Sequence, residues 1–227
     1  MSRNRSFLLS DEPIEYKFIN NCMVTGETFD YKIFRECCFT KVVFDSCLFK
    51  DTQFIDCTFF NVSFFECTSH SMSIRKSNFF NTYIYGSKFL ATSIIKTDLT
   101  DFRFYHNVFL QTEFRDNNMT KTLFENSSFV KASIKNVMFV STSMISIDFR
   151  DSSFQKMNFA FDLDIQQSNF GDSKFNECHF GSPHITETIF DNSEFNDVKF
   201  TNNSMILSSS FENVSYTNTN VIAMSTP

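Results

Sequence analysis

The 227-residue chain is poor in the residues that shape turns, with four glycines, three prolines and no tryptophan. So few glycines and prolines argue against a β-sandwich or barrel, in which many short strands are joined by turns rich in these residues. The phosphate-binding loops GxGxxG and GxxxxGK[ST] are absent, so neither motif is available to bind a nucleotide. No apolar run approaches the ~18 residues of a membrane-spanning helix, and we predict no membrane span.

Positive charge is also scarce, because the chain has 20 Lys and Arg but 26 Asp and Glu, which gives a net charge of −6. Because nucleic acids are bound through their phosphates, this balance argues against direct nucleic-acid binding. The charge is uneven along the chain. Residues 1–161 carry a net +1 and residues 162–227 carry a net −7.

Phenylalanine is abundant, with 33 residues, and it recurs at every fifth position. From Val24 to Phe159 all positions of this five-residue frame are apolar except Ser69, and 26 of the 33 phenylalanines lie on the frame. Neither the period of a helix nor that of a simple strand produces such a pattern. The residue two before each frame position is small or β-branched almost throughout, as at Cys37 and Val42.

Each five-residue unit therefore has one large and one small inward residue and exposes the other three. No unit has a core of its own, so it is stable only when stacked on its neighbours, as in a solenoid. The frame slips by one residue within 160–164 and continues from Ile165 to Met205. A second one-residue slip within 206–210 leads to Phe211. We expect bulged corners at both slips and no projecting loop.

Units such as CTFFN (57–61), CLFKD (47–51), SSFQK (152–156) and SKFNE (173–177) resemble the A(D/N)LXX consensus of the pentapeptide-repeat family, with Phe in place of the usual Leu. The resemblance covers about residues 20 to 223. It implies an all-β fold, a right-handed quadrilateral parallel β-helix of about ten coils, roughly 48 Å long at ~4.8 Å per coil. We expect an N-terminal cap or tail over 1–20, the β-helix over 21–223 and a C-terminal tail over 224–227.

In this frame six of the seven cysteines occupy the small inward position, and Cys38 is the exception; the six are Cys22, Cys37, Cys47, Cys57, Cys67 and Cys178. The CxxC pairs of a zinc site are missing, so buried thiols are the better interpretation than a metal or disulfide framework. Reduced thiols and the lack of a signal peptide favour a bacterial cytoplasm. A polar, serine-containing N-terminus leaves secretion into a host cell open.

Catalytic chemistry is not indicated by the sequence. The four histidines are scattered, and the motifs HExxH and GxSxG are absent. A continuously packed column leaves no pocket. We therefore predict that the protein is not an enzyme and has no catalytic residue, cofactor or metal.

Two surfaces are candidates for a partner. Residues 20 apart stack on one side of such a coil, which brings together an aromatic group with one arginine: Phe65, Tyr83, Tyr85, Arg103 and Tyr105. This composition is typical of a protein-binding surface, although a ladder of self-stacking aromatics is the simpler alternative. The second candidate is an acidic face: Asp162, Asp164, Asp172, Glu187, Asp191, Glu194 and Asp197.

Basic residues are expected together on another side, where a solvated surface is the simpler interpretation; they are Arg35, Arg75, Lys76, Lys96, Arg115, Lys135 and Lys156.

Three functions remain open from the sequence. The first is a non-catalytic, rigid protein–protein interaction scaffold, a class that in this family includes bacterial effectors. The second, implied by the resemblance, is a DNA mimic that binds DNA gyrase or topoisomerase IV and confers quinolone or toxin resistance. The third is a purely structural role, because a fold alone does not fix a function. Stacking of an open terminal turn onto a second copy would give a homodimer.

Overall fold

The computed structural model describes residues 12–201 and 204–220, and within these ranges it contains strands and no helix. The strands pair in parallel with neighbours one coil away and wind into a four-sided β-solenoid. One side carries 11 strands, which agrees with the predicted quadrilateral β-helix of about ten coils.

The strands, most of them three residues long, are β1 (Ile14–Glu15), β2 (Phe18–Thr25), β3 (Thr28–Asp30), β4 (Ile33–Arg35), β5 (Cys38–Asp45), β6 (Leu48–Lys50), β7 (Gln53–Ile55), β8 (Thr58–Phe60), β9 (Ser63–Phe65), β10 (Thr68–His70), β11 (Ser73–Arg75), β12 (Asn78–Phe80), β13 (Tyr83–Tyr85), β14 (Lys88–Leu90), β15 (Ser93–Ile95), β16 (Arg103–Tyr105), β17 (Val108–Leu110), β18 (Glu113–Arg115), β19 (Asn118–Thr120), β20 (Leu123–Glu125), β21 (Ser133–Lys135), β22 (Met138–Val140), β23 (Ser143–Ile145), β24 (Ser153–Gln155), β25 (Asn158–Ala160), β26 (Asp164–Gln166), β27 (Lys174–Asn176), β28 (His179–Phe180), β29 (His184–Thr186), β30 (Glu194–Asn196), β31 (Lys199–Phe200), β32 (Met205–Leu207) and β33 (Ser215–Thr217).

The four sides follow one another around each coil. Side 1 is the sheet from β1 through β4 and β7 to β33, and side 4 contains β3, β6, β10, β14 and β17. Sides 2 and 3 lie between them. They begin in the long strands β2 and β5, each of which turns the corner between the two sides. Side 2 continues through β8 and β12, and side 3 through β9, β13 and β16.

The core consists of phenylalanine columns in which each ring lies on the ring one coil away. Phe39 and Phe59 have ring centroids 4.9 Å apart and nearly parallel planes, and Phe59 and Phe79 are 4.2 Å apart. Rings of neighbouring columns meet edge to face, as Phe34 and Phe39 do at 5.6 Å. Aromatic rings prefer these offset and perpendicular arrangements, so the five-residue period fills the interior with favourable ring contacts.

The small inward residues do more than save space, because their polar atoms bond the main chain of the neighbouring coil. Cys47 Sγ donates to the carbonyl of Val24 at 3.3 Å. Asn107 donates through Nδ2 to the carbonyl of Ile84 at 2.9 Å and accepts the amide of Ser87 at 3.0 Å. These bonds satisfy polar groups that burial would otherwise leave without partners.

Every corner contains one residue in the left-handed backbone region, and nearly all of these residues are not glycine. Among the described residues, 38 non-glycine residues have φ values between 47° and 58°, and they recur two positions after a core residue, or three at Asp162, where the first slip adds a residue. The amide of Lys76 at such a corner donates to the carbonyl of Ile95 at 3.0 Å. This bond to the next coil offsets a left-handed conformation that disfavours a side chain by about 1 kcal/mol or more.

The coils begin earlier than the sequence predicts. Ile14 and Ile19 are buried, and β1 pairs with β4 in the register Ile14↔Phe34. The solenoid therefore includes residues that we assigned to an N-terminal cap, because an apolar residue in frame is sufficient to start a coil even when a lysine holds the small position. The remainder of the predicted cap, 1–11, and the predicted tail, 224–227, lie outside the described residues.

The two slips of the frame have different outcomes. The first is confirmed as an extra corner residue, where Phe161 is exposed and its carbonyl accepts the amide of Ser141 at 2.9 Å. The second was placed wrongly. Ile206 pairs with Ile185 while Met205 is exposed, so the extra residue lies between Phe200 and Met205. Two adjacent apolar residues fit the spacing equally well, and the hydrogen-bond register selects the second.

Among the described residues the cysteines form no disulfide bond with one another. Five of the six predicted inward cysteines are buried, whereas Cys22 and Cys38 are half-buried. Burial raises the pKa of the Cys178 thiol to about 12, which keeps this thiol protonated and unreactive at neutral pH.

Candidate partner-binding surface

The five residues of the predicted aromatic group lie together on side 3, and we call them the aromatic patch. They come from the adjacent strands β9, β13 and β16, which pair in parallel. Phe65, Tyr85 and Tyr105 align in one row along the solenoid axis, and Tyr83 and Arg103 align in a second row. All five are outward positions that flank buried core residues of the same strands.

Two of the aromatic rings form a ladder, as the simpler alternative expects. The Phe65 and Tyr85 rings are stacked with centroids 5.2 Å apart, and the His106 ring meets Tyr85 edge-on at 5.5 Å. Stacking does not cover them, since Phe65, Tyr83 and Tyr85 remain 37%, 41% and 39% exposed. Their ring surface is therefore both ordered and accessible, and a partner would not have to immobilise the stacked pair.

Arg103 is held at the edge of the patch by amides of the neighbouring corner. Its Nη1 donates to Oδ1 of Asn81 at 3.5 Å, and Asn81 donates to Asn61 at 2.6 Å. Within the described ranges Arg103 forms no ion pair, so its charge is available beside the tyrosines. Arginine and tyrosine are the residues that dominate protein interfaces.

The apolar surface continues around the corner onto side 2. Phe60 and Phe80 lie in register on β8 and β12, and both are exposed. Phe80 is separated from Tyr83 by only the corner residues Asn81 and Thr82. A concentration of exposed aromatic side chains of this kind marks an interaction site more often than ordinary surface.

The residues of the predicted acidic face do not share a side. Asp164 lies on side 3 in β26, Glu194 lies on side 1 in β30, and Asp191 follows the phenylalanine of side 4. Asp162, Asp172 and Glu187 occupy three different corners. Each pentapeptide turns the chain by a quarter of a coil, so acidic residues a few positions apart encircle the last coils instead of forming one face.

Groups suited to metal binding do not form among the described residues, in which no cluster of three or more His, Cys, Asp or Glu side chains occurs. His184 pairs with Asp164 at 3.4 Å on side 3. In the same part of the chain there is no helix of the length and apolar character required to cross a membrane.

Several solved structures are similar to this chain. HetL, a pentapeptide-repeat protein involved in heterocyst differentiation regulation in the cyanobacterium Nostoc, matches 91% of this chain and 87% of its own at 7% identity and a TM-score of 0.43. Full-length QnrB1, a plasmid-mediated fluoroquinolone resistance protein, matches 93% and 94% at 12% identity and a TM-score of 0.31. A periplasmic alginate epimerase, AlgG, matches 92% and 74% at 7% identity and a TM-score of 0.45.

No family profile matches the chain, and no curated protein matches it. The fold assignment depends on the molecule's own geometry, which combines a five-residue repeat, four strands per coil and a register of 20 residues between coils. These features define the fold as a quadrilateral parallel β-solenoid built from five-residue repeats.

Proposed function

We propose that the protein is a rigid interaction scaffold that binds a partner protein through the aromatic patch. The observation that carries the proposal is the alignment of Phe65, Tyr83, Tyr85, Arg103 and Tyr105 on three adjacent strands, where the rings of Phe65, Tyr83 and Tyr85 are exposed and that of Tyr105 is half-buried. Because a parallel sheet fixes the backbone beneath them, the partner binds a surface that is already ordered, and little conformational entropy is lost on binding.

Alanine substitutions within the patch test the proposal. The variant Tyr83→Ala/Tyr85→Ala/Tyr105→Ala is compared with Tyr16→Ala/Phe18→Ala/Tyr31→Ala, which removes three exposed aromatic residues far from the patch. Partners captured by the wild-type protein are purified, and their affinities for the three proteins are measured by calorimetry. We expect the patch variant to lose about tenfold or more in affinity, since interface tyrosines often contribute ~2 kcal/mol.

The control variant is expected to bind within about twofold of the wild type, which corresponds to less than ~0.5 kcal/mol. If the patch variant retains every partner at full affinity, the proposal that side 3 binds the partner protein is wrong. Circular dichroism of both variants checks that the β-solenoid is intact, which is expected because all six residues are outward positions.

The DNA-mimic function is the second candidate, with gyrase or topoisomerase IV as the partner. The observation that bears on it is the distribution of acidic side chains, which encircle the last coils of the solenoid. They do not form one continuous acidic side. A supercoiling assay with a quinolone distinguishes the two candidates, since a scaffold neither inhibits gyrase nor protects it.

A further inference from the structure

Basic side chains form a second ordered surface, on side 1, which the aromatic patch does not use. Arg75, Arg115 and Lys135 occupy the same outward position of β11, β18 and β21, with Ile95 of β15 between the two arginines. Lys76 and Lys96 follow at the adjoining corner. We call Arg75, Lys76, Lys96, Arg115 and Lys135 the basic row.

Most of this charge is not neutralised within the protein. Among the described residues only Arg115 of the five forms an ion pair, with Glu113 at 3.3 Å. Two carboxylates flank Lys76 and Lys96 at their corner: Asp56, one coil before Lys76, and Asp116, which accepts a hydrogen bond from Asn136 at 2.7 Å. Four unpaired cations in adjacent coils of a chain with a net charge of −6 make an unusual concentration of positive charge.

The basic row is held in place by the sheet beneath it. Ile95 points outward between Arg75 and Arg115 and is nevertheless only 8% exposed, so neighbouring side chains cover it. Arginine stems commonly cover apolar surface while their charged ends remain in water. Arg75 Nε also donates to Ser73 Oγ at 3.0 Å, which limits the positions of its guanidinium group.

An open groove of about 390 Å³ adjoins the far end of the row, at the corner between sides 1 and 2. Its lining includes Asn136 and Asn158, whose amides can bond the main chain of an extended segment, and Lys156, which pairs with Glu177 at 3.8 Å. The one carboxylate in the lining, Asp116, already accepts the hydrogen bond from Asn136. The row and the groove therefore offer cations for acidic side chains and amides for a backbone, along one straight edge of the solenoid.

We propose that the basic row binds an extended acidic segment of a partner protein, lying along the solenoid axis. From Arg75 to Lys135 the row spans about 14 Å, or three strand spacings of ~4.8 Å. Alternate side chains of an extended segment are roughly 7 Å apart, so two or three carboxylates reach the row. A nucleic acid is a poorer fit, because specific complexes neutralise about 6–10 phosphates, more than the five cations of the row supply.

The probe is a fluorescein-labelled peptide of alternating Glu and Ser residues, and its binding to the full chain is followed by fluorescence anisotropy at low and high salt. The variant Arg75→Gln/Lys96→Gln/Lys135→Gln removes three unpaired charges of the row. The control Lys41→Gln/Lys88→Gln/Lys131→Gln removes three exposed lysines elsewhere, with the same change in net charge.

We expect the row variant to bind the peptide about tenfold more weakly and the control to bind within about twofold of the wild type, with affinity falling as salt rises. Absence of peptide binding at low salt, or equal weakening in both variants, would overturn the proposal. Tighter binding of a duplex DNA of equal charge would also overturn it and assign the row to nucleic acid. Loss of the aromatic patch is expected to leave peptide binding unchanged, so this test and that of the proposed function fail separately.

Discussion

The early and the middle coils fill the same interior in two different ways. Between Phe29 and Phe64 every large inward position is phenylalanine, and the small positions after Lys32 hold Cys, Val or Thr. Between Ser69 and Phe102 the large positions include a serine, isoleucines and Leu99, while Met72 and Phe102 occupy small positions and are buried. The same coil therefore accepts large side chains at either of its two inward positions.

The bulky residues at small inward positions of the middle coils have a common spacing from the frame position before them. Met72 comes three residues after Ser69, and Phe102 comes three residues after Leu99, so each bulky residue follows, across one corner, a frame position that holds a residue smaller than phenylalanine. The Phe102 ring meets Phe79 at 5.4 Å and Phe104 at 4.6 Å. Protein interiors tolerate redistribution of volume better than its loss, which is why the middle coils remain closed.

The redistribution of side-chain volume in the middle coils does not fill the interior completely. A small apolar cavity of about 10 Å³ remains among the middle-coil side chains, which include Met72, Ile84 and Leu99. Ser69 also introduces a buried hydroxyl, which bonds the Thr92 hydroxyl at 2.9 Å. The early coils thus depend on aromatic stacking, whereas the middle coils depend on aliphatic packing and side-chain hydrogen bonds.

The largest expected effect is loss of a ring from the early coils. Phe59→Ala should lower the free energy of unfolding by about 4 kcal/mol, because it leaves a cavity and removes stacking on both Phe39 and Phe79. Leu99→Ala, its counterpart in the middle coils, should destabilise by about 1 kcal/mol less. Urea unfolding followed by circular dichroism measures both, and equal losses would show that stacking adds nothing to burial.

A smaller effect is expected from forcing the early pattern onto the middle coils. Ser69→Phe should destabilise by about 2 kcal/mol, because Met72 already occupies space at that corner. Adding Met72→Ser should restore at least about 1 kcal/mol, since it recreates the large-then-small order of the early coils. A double-mutant cycle measures the coupling, and additive effects would mean that the two positions do not share volume.

The smallest effect concerns the corners, which are alike in both regions. Ala91 lies at a corner with φ of 48°, whereas Ala160 lies in β25. Ala91→Gly should raise stability by up to about 1 kcal/mol, because glycine adopts positive φ without strain. Ala160→Gly should lower it by about 0.5–1 kcal/mol. The same sign for both variants in thermal unfolding would show that the corners store no strain.

The sequence predicts this fold well because one period determines both the core and the sides. The alignment of Phe65, Tyr85 and Tyr105 follows from their spacing alone, since 20 residues make one complete coil. The left-handed corners could not be predicted, because residues as different as Lys76, Asp101 and His106 adopt the same conformation. At these corners the hydrogen bond to the next coil determines the backbone conformation, and the identity of the side chain does not predict it.

Local spacing also explains what was missed. Met205 and Ile206 are both apolar, so only the pairing with Ile185 shows which is inward. The acidic residues appear clustered in the sequence, but their positions around the coil depend on their spacing within the 20-residue turn. Asp164 therefore lies on side 3, whereas Asp172, eight residues later, lies at the corner that follows side 4.

Paired strands are 20 residues apart, or 21 where a slip lies between them, and this spacing has a consequence for how such a chain changes length. Duplication or deletion of a complete coil alters the height of the molecule by about 4.8 Å and leaves every remaining side chain facing its former direction. Loss of a single pentapeptide instead rotates everything downstream by ninety degrees, which would separate Tyr83 from Arg103 if it fell between them. Genetic rearrangements in multiples of four units are therefore the ones that preserve a binding surface.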